Sequence, residues 1–348
     1  MGKYKFYKKD ILDNETIDSY LTRHTDIVDQ IKRFEKDTSG IVELRHTLDV
    51  PKLREAVQDA YIKYGWHGFL ISGYVDHNTI NKTKRSPRYG GLSITYNPEY
   101  KQEIDPNCQT LGNVRYNLPP DMWAGPLGGQ IFERVNIAGH NVRAEFYKKI
   151  SANGPGAAWR YLFSEKIITE AEYDSKRDEY DSFEYNPKAV NQVGKNTYSD
   201  AMSFNKLSPA CNQGYLGEVF NRIPRTLIRG RIVSMKHGGL HWHRDEHIHI
   251  NFRINIPLYH DTSTIIKTES SRKVMHPDYM YSWDTGEPHC VERIHDKVMK
   301  RENIVFGISP WFDWNDEDHS WESNEYYGEI HPIDMLHQGL LVDFINNM

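Results

Sequence analysis

The sequence predicts a mainly β fold with flanking helices, built from short strands as a sandwich or barrel. Three observations carry this. From Thr226 onward, Leu227, Arg229, Arg231 and Val233 alternate with Ile228, Gly230, Ile232 and Ser234. Next, Ile248, Ile250, Phe252, Ile254, Ile256 and Leu258 form one face of an eleven-residue run, with His249, Asn251, Arg253 and Asn255 on the other. A period of two over that length is a strand's, not a helix's. Further short strands are expected at 263–268, 279–284 and 303–309, and strands at such spacing make a sandwich or barrel. A jelly-roll pair of sheets would manage the exposed edges.

The elements before this block read differently. Residues 10–36 have apolar positions at three- and four-residue steps and predict a helix. A second helix is better signed: Asp49 can cap it, Pro51 suits its first turn, Leu53, Val57 and Tyr61 share a face, and Gly65 ends it. Residues 66–74 read as a buried strand. From Asp76 to Asn153 the chain is rich in Gly, Pro, Asn and Tyr, and Arg88–Tyr96 and Leu118–Pro126 suggest long ordered loops around short strands. Residues 156–185 carry the mixed charges of a solvated helix. Residues 313–325 read as an acidic, polar linker. The last element expected is a helix over 331–345, whose stripe of Ile333, Leu336, Leu340, Leu341, Phe344 and Ile345 packs on its own domain or makes a homodimer.

Bulk composition narrows the function. The chain has 348 residues, enough for a large core, with 38% apolar and 12% aromatic residues, as folded proteins have. A net charge of −5 gives no electrostatic case for nucleic acid. No apolar run is long enough for a membrane helix, and the charged start does not read as a signal peptide. Cys108, Cys211 and Cys290 have neither metal nor redox spacing, so a reducing, cytoplasmic location is expected.

The chemistry concentrates between His237 and His249, where five of the seventeen histidines fall within thirteen residues beside Asp245 and Glu246. Imidazoles with carboxylates suit a divalent transition metal. On a strand, His243 and Asp245 share a face and can bind one ion, and His289 is the best third ligand. Parity alone leaves His241, His247 and His249 as competitors. His241-Trp242-His243 followed by Glu246 also suggests a cupin-type metal protein, although its spacing is off by one or two residues. A jelly-roll protein with no catalysis is the other alternative. Arg301, at a strand start, and Arg253, on the polar face of its strand, carry guanidinium groups that fork onto carboxylates.

Taken together, His237-Gly238-Gly239, His243-Arg244-Asp245, Arg253-Ile254-Asn255-Ile256-Pro257-Leu258, Trp283-Asp284, His289 and Arg301 resemble the aspartyl/asparaginyl β-hydroxylase-like family. These are Fe(II)- and 2-oxoglutarate-dependent oxygenases with a double-stranded β-helix core, a jelly-roll and cupin relative. The resemblance covers about 85 residues, by order and spacing of several motifs. It implies that His243, Asp245 and His289 hold iron. It also implies that Arg301, helped by Ser234, binds the distal carboxylate of 2-oxoglutarate, with Arg253 and Asn255 lining the cofactor pocket. The substrate implied is a free or peptidyl amino acid, hydroxylated with O2. Asp245 separates this chain from halogenases of the superfamily, where chloride replaces that ligand. On this reading residues 1–200 shape the pocket, 201–312 form the oxygenase core, and 313–348 form a linker and C-terminal helix.

Overall fold

Strands and helices alternate irregularly along the chain. A computed structural model describes residues 5–7, 40–70, 85–98, 105–111, 134–137, 140–143, 166, 168–172, 174–175, 202, 204–235, 240–243, 245–246, 248–293 and 301–345. The helix expected at 10–36, the loop at 118–126, His247 and most of 156–185 lie outside these residues. The first elements are β1 (Lys5–Tyr7), β2 (Val42–Arg45), α1 (Val50–Tyr64), β3 (His67–Leu70), β4 (Arg85–Ser93), β5 (Thr95–Tyr96), β6 (Arg134–Ile137) and β7 (His140–Arg143). Then come β8 (Lys206–Leu207), α2 (Gly214–Phe220), β9 (Leu227–Met235), β10 (Leu240–His243), β11 (Phe252–Pro257), β12 (Thr264–Thr268) and β13 (Arg272–Lys273). The last are β14 (Tyr279–Ser282), β15 (His289–Arg293), β16 (Arg301–Ile308), β17 (Phe312–Asn315), β18 (Ser320–Ser323) and α3 (Pro332–His337).

The fold is mainly β and its sheets are antiparallel. Seven strands pair in the order β2-β14-β11-β16-β9-β4-β3, and four in the order β10-β15-β12-β13. In the Arg88–Tyr96 stretch the strands take up more than the short pieces expected among loops: Gly91 and Leu92 of β4 pair with Val233 and Ile232 of β9. Three strands from the first hundred residues thus extend the main sheet.

Alternation gives that sheet two unlike faces. On one, Phe252, Ile254 and Ile256 stand opposite Ile308, Phe306 and Ile304, and Ile304 stands opposite Ile232. These residues share a single core with Leu53, Val57 and Ala60 of α1 and Leu216, Val219 and Phe220 of α2. Helix α1 forms as expected. The Asp49 side chain accepts from Lys52 N at 3.1 Å, and Gly65, at φ 85°, donates its N–H to the Tyr61 carbonyl. The other face of the sheet carries Arg253, Asn255, Asn303 and Arg301. It looks toward the four-stranded sheet, and a smaller apolar cluster of Ile266, Met275, Tyr281, Trp283 and Val291 joins the two.

The expected strand from Ile248 to Leu258 begins only at Phe252, because residues 248–250 form a turn. Both sides of β11 are buried, polar residues included, since one side meets the helices and the other the second sheet. The expected acidic linker is in fact the hairpin β17–β18. The C-terminal helix stops at His337, and Gly339 at φ 73° turns the chain. Ile333, Leu336, Leu341 and Phe344 are buried in this chain's own core, while Leu340 and Ile345 are half-buried against it. Among the described residues only Ile62 and Val274 are exposed large apolar side chains, and no helix is long and apolar enough to cross a membrane.

β9 is irregular where it meets β16. Arg231 stands opposite Val305 and Ile228 opposite Gly307, so Arg229 and Gly230 together answer Phe306. This is a β-bulge, with Arg229 in the left-handed region at φ 44°. Across the sheet, a Cβ on Gly307 would lie 1.8 Å from the Asn251 side-chain oxygen and 2.8 Å from the Ile228 carbonyl. Gly307→Ala therefore forces Asn251 and β9 apart, and a loss of about 1–3 kcal/mol in denaturant unfolding is expected.

His46 titrates against the fold. It is buried, its Nδ1 accepts from Leu48 N at 3.2 Å, and burial holds its pKa below the ordinary 6.5. As pH falls past 6.5 the unfolded chain gains a proton that the folded chain does not. The stability His46 contributes is thus complete above 6.5 and lost as pH drops toward the depressed value. His46→Asn should flatten that fall in a series of denaturant midpoints between pH 7 and pH 5.

Candidate metal centre

The pairing of β10 with β15 sets the site. Their register places His243 directly opposite His289, with Leu240 opposite Val291 across an irregular step. Beyond β10 the backbone is stitched to the loop that precedes β15. Asp245 N donates to the Thr285 carbonyl at 2.7 Å, and Thr285 Oγ1 donates to the Glu246 carbonyl at 2.7 Å. The Asp284 carboxylate accepts from Ile248 N and Gly286 N, each at 2.9 Å. A short acidic side chain holding two backbone N–H groups is the natural way to fix such a turn.

His289 is oriented by this loop. Its ring lies almost wholly buried, with Nδ1 2.9 Å from the Glu287 carbonyl. A carbonyl can only accept, so Nδ1 carries a hydrogen, and in the neutral ring Nε2 is then the lone-pair nitrogen. Nε2 lies 4.0 Å from Asp245 Oδ2. Trp283 stands edge-on to the ring at 5.6 Å between centroids. Phe252, by contrast, belongs to the helix-side core and lines no site.

Asp245 and Glu246 share a guanidinium. Arg253 donates through Nη1 to Asp245 Oδ2 and through Nη2 to Glu246 Oε2, the latter at 2.9 Å. Glu246 is fully buried, and also accepts from Arg229 Nη1 at Oε1 and from Asn251 Nδ2 at 3.2 Å. Two carboxylates and two guanidiniums thus alternate in a charge-balanced chain, with Glu246 and Arg253 buried and Arg229 and Asp245 half-buried. Glu246, the carboxylate of the cupin alternative, is committed to two arginines.

The other residues singled out by sequence fall in different places. Asn255 shares the Arg253 face and stands opposite Val305, which in turn is opposite Arg231. Arg301 stands opposite Met235, with Nη1 3.5 Å from its sulfur, farther along that face. Ser234 is out of step with Arg301, because it pairs with Glu302. Glu302 is on the helix side, where burial and Glu302 itself push the Tyr61 pKa up. Ser234 is therefore not placed to assist Arg301. His249 lies apart, packed on Trp311 and His331 at 5.0 and 5.4 Å between ring centroids.

A second group of donors, His67, Asp105 and Cys108, gathers within 4.8 Å. His67 Nε2 already meets the Tyr64 carbonyl at 2.9 Å, and Asp105 Oδ1 accepts twice from Asn107, so local structure accounts for two of the three. These residues carry no spacing signal. The Arg229–Glu246 pair was also missed by sequence reasoning, since the bulge that aims Arg229 leaves the alternation of β9 looking regular.

No protein-family model matches the chain, and no curated protein matches its sequence.

The loop around Asp284 is the support on which Asp245 and His289 both rest. Asp284→Ala leaves two backbone N–H groups without that acceptor, and a loss of about 2–4 kcal/mol is expected from the usual penalty for such groups. Urea unfolding followed by fluorescence measures it.

Proposed function

We propose that this chain is an Fe(II)- and 2-oxoglutarate-dependent oxygenase, with a double-stranded β-helix core, that hydroxylates an unactivated C–H bond of an amino acid or amino-acid side chain. One observation carries the reading most: His243 lies opposite His289 in the register, and Asp245 sits two residues on with its carboxylate 4.0 Å from His289 Nε2. Two neighbouring ligands on one side of an ion, each about 2.1 Å from it, lie about 3 Å apart, so a closure of about 1 Å would bring this pair onto a shared metal. The fixed tautomer of His289 fits as well, since a ligating imidazole usually donates its other N–H to a carbonyl or carboxylate.

Bound iron with 2-oxoglutarate and O2 would supply the oxidation, with the keto acid decarboxylated to succinate. The chain's own residues bind, orient and exclude water. His243, Asp245 and His289 would hold the ion from one side and leave the other open. Arg253 presents a guanidinium beside Asp245, where an anionic ligand of the metal would sit. Arg301 lies six residues along β16 from Gly307, the partner of Arg253, or roughly 20 Å of strand. Two arginine side chains reaching inward from those positions, with Asn255 and Asn303 between them, suit a short dicarboxylic acid. Trp283, packed on His289, closes one wall.

Anaerobic addition of iron(II) and 2-oxoglutarate should produce a weak visible charge-transfer band that needs both and disappears in His243→Ala. Arg301→Ala should keep metal affinity while raising the 2-oxoglutarate concentration needed by about 30- to 100-fold, the scale of a charge-assisted hydrogen-bonded pair. Metal bound without any such band would overturn the oxygenase reading in favour of a metal protein that does not use 2-oxoglutarate.

A further inference from the structure

We infer that Glu246 is a positioning residue for the metal centre, acting through Arg253, an inference that rests on the reading of His243, Asp245 and His289 as metal ligands. Glu246 has no solvent exposure, and its carboxylate is gripped by Arg229 Nη1, Arg253 Nη2 and Asn251 Nδ2 while Thr285 holds its backbone oxygen. A carboxylate fixed on that many sides does not move, so whatever it binds is fixed too. What it binds is one arm of Arg253, whose other arm reaches Asp245.

An arginine facing a single carboxylate closes both arms on it, because the parallel fork is its strongest arrangement. Arg253 closed in that way on Asp245 would compete with a cation for both carboxylate oxygens. By holding Nη2, Glu246 makes Arg253 span two carboxylates and limits it to a single donor on Asp245, at Oδ2, the oxygen that also lies 4.0 Å from His289 Nε2. Arg229 has no part in the metal site. Its left-handed bulge conformation serves to bring a second cation to Glu246, so that the buried acid remains balanced while it restrains Arg253. The arrangement therefore protects the metal affinity of Asp245 and keeps a guanidinium beside it for an incoming anion.

A double-mutant cycle on the full-length chain separates this role from plain electrostatics. Manganese(II) affinity, measured by titration calorimetry, is compared for the wild type, Glu246→Gln, Arg253→Met and the double variant, with circular dichroism confirming the fold of each. Glu246→Gln should weaken manganese binding about tenfold or more, the usual scale for residues behind a metal ligand. In the Arg253→Met background the same change should alter affinity by less than about twofold, because no guanidinium remains to be restrained. An equal loss in both backgrounds would mean that Glu246 acts only as a nearby negative charge, and would overturn the inference. So would an unchanged affinity in Glu246→Gln. Where Glu246→Gln does not fold, Glu246→Asp, which keeps the charge for Arg229 but shortens the reach to Arg253, replaces it in the cycle, with the same expectation and the same overturning result. His243→Ala separates the two levels of the argument. If it leaves manganese affinity intact, the metal reading fails and this inference falls with it; if it abolishes binding while the cycle is additive, only the role of Glu246 is overturned.

Discussion

The alternating chain Arg229–Glu246–Arg253–Asp245 is the constraint to which this end of the molecule is fitted. Removing four charges from water is expensive, and pairing them roughly offsets that expense, so such a network adds little net stability. Its demands on geometry are larger. Arg229 reaches Glu246 from a bulge with left-handed backbone. The chain must turn at 248–250 to bring Asn251, and then Arg253 at the start of β11, past Glu246. Gly307 must lack a side chain because the Asn251 amide occupies the space above it. These irregularities of β9, β11 and β16 share one cause in the charge network.

The large sheet works because its two faces do different jobs. Apolar residues of β9, β11 and β16 are sealed by α1 and α2. That leaves the opposite face free to hold Arg, Asn and Met side chains against the smaller sheet. Such polar residues are tolerable only where hydrogen bonds or charges meet them. On that face Arg253 meets Asp245 and Glu246, while Arg301 and Asn303 meet methionine sulfurs. The loop from Trp283 to Glu287 adds contacts that fix Asp245 and His289 beyond the pairing of β10 with β15.

Local periodicity made much of this legible in the sequence. Strict alternation identified β9 and β11, and the Asp49–Pro51–Gly65 signals delimited α1 to within a residue. The grouping of His243, Asp245 and His289 was legible for a different reason, namely the order of several motifs together. What stayed hidden depends on long-range partners. Arg88–Tyr96 looks like loop around a short strand because Gly90 and Gly91 have low strand propensity, yet they pack tightly against β3 and β9, where a Cβ would collide with backbone. The bulge at Arg229 leaves no trace in an alternating pattern. Ser234 sits one residue from an apparently suitable place, and a single step in a strand moves a side chain to the opposite face. The helical stripe after His331 was a true apolar pattern, but Gly339 breaks its helix and lets the residues enter the core as an irregular segment.

One join has a consequence for how the molecule is made. Thr47 N donates to the Phe344 carbonyl at 2.9 Å, its hydroxyl reaches the same oxygen across 297 positions of sequence, and His46 forms an isolated bridge with Ile345. The edge strand β2 and the start of α1 are thereby closed by residues 297 positions further along the chain. Contacts of such separation must wait for closure of a loop of that length, and topologies built on them fold slowly. The helix side of the main sheet therefore cannot close at β2 before Phe344 and Ile345 are in place.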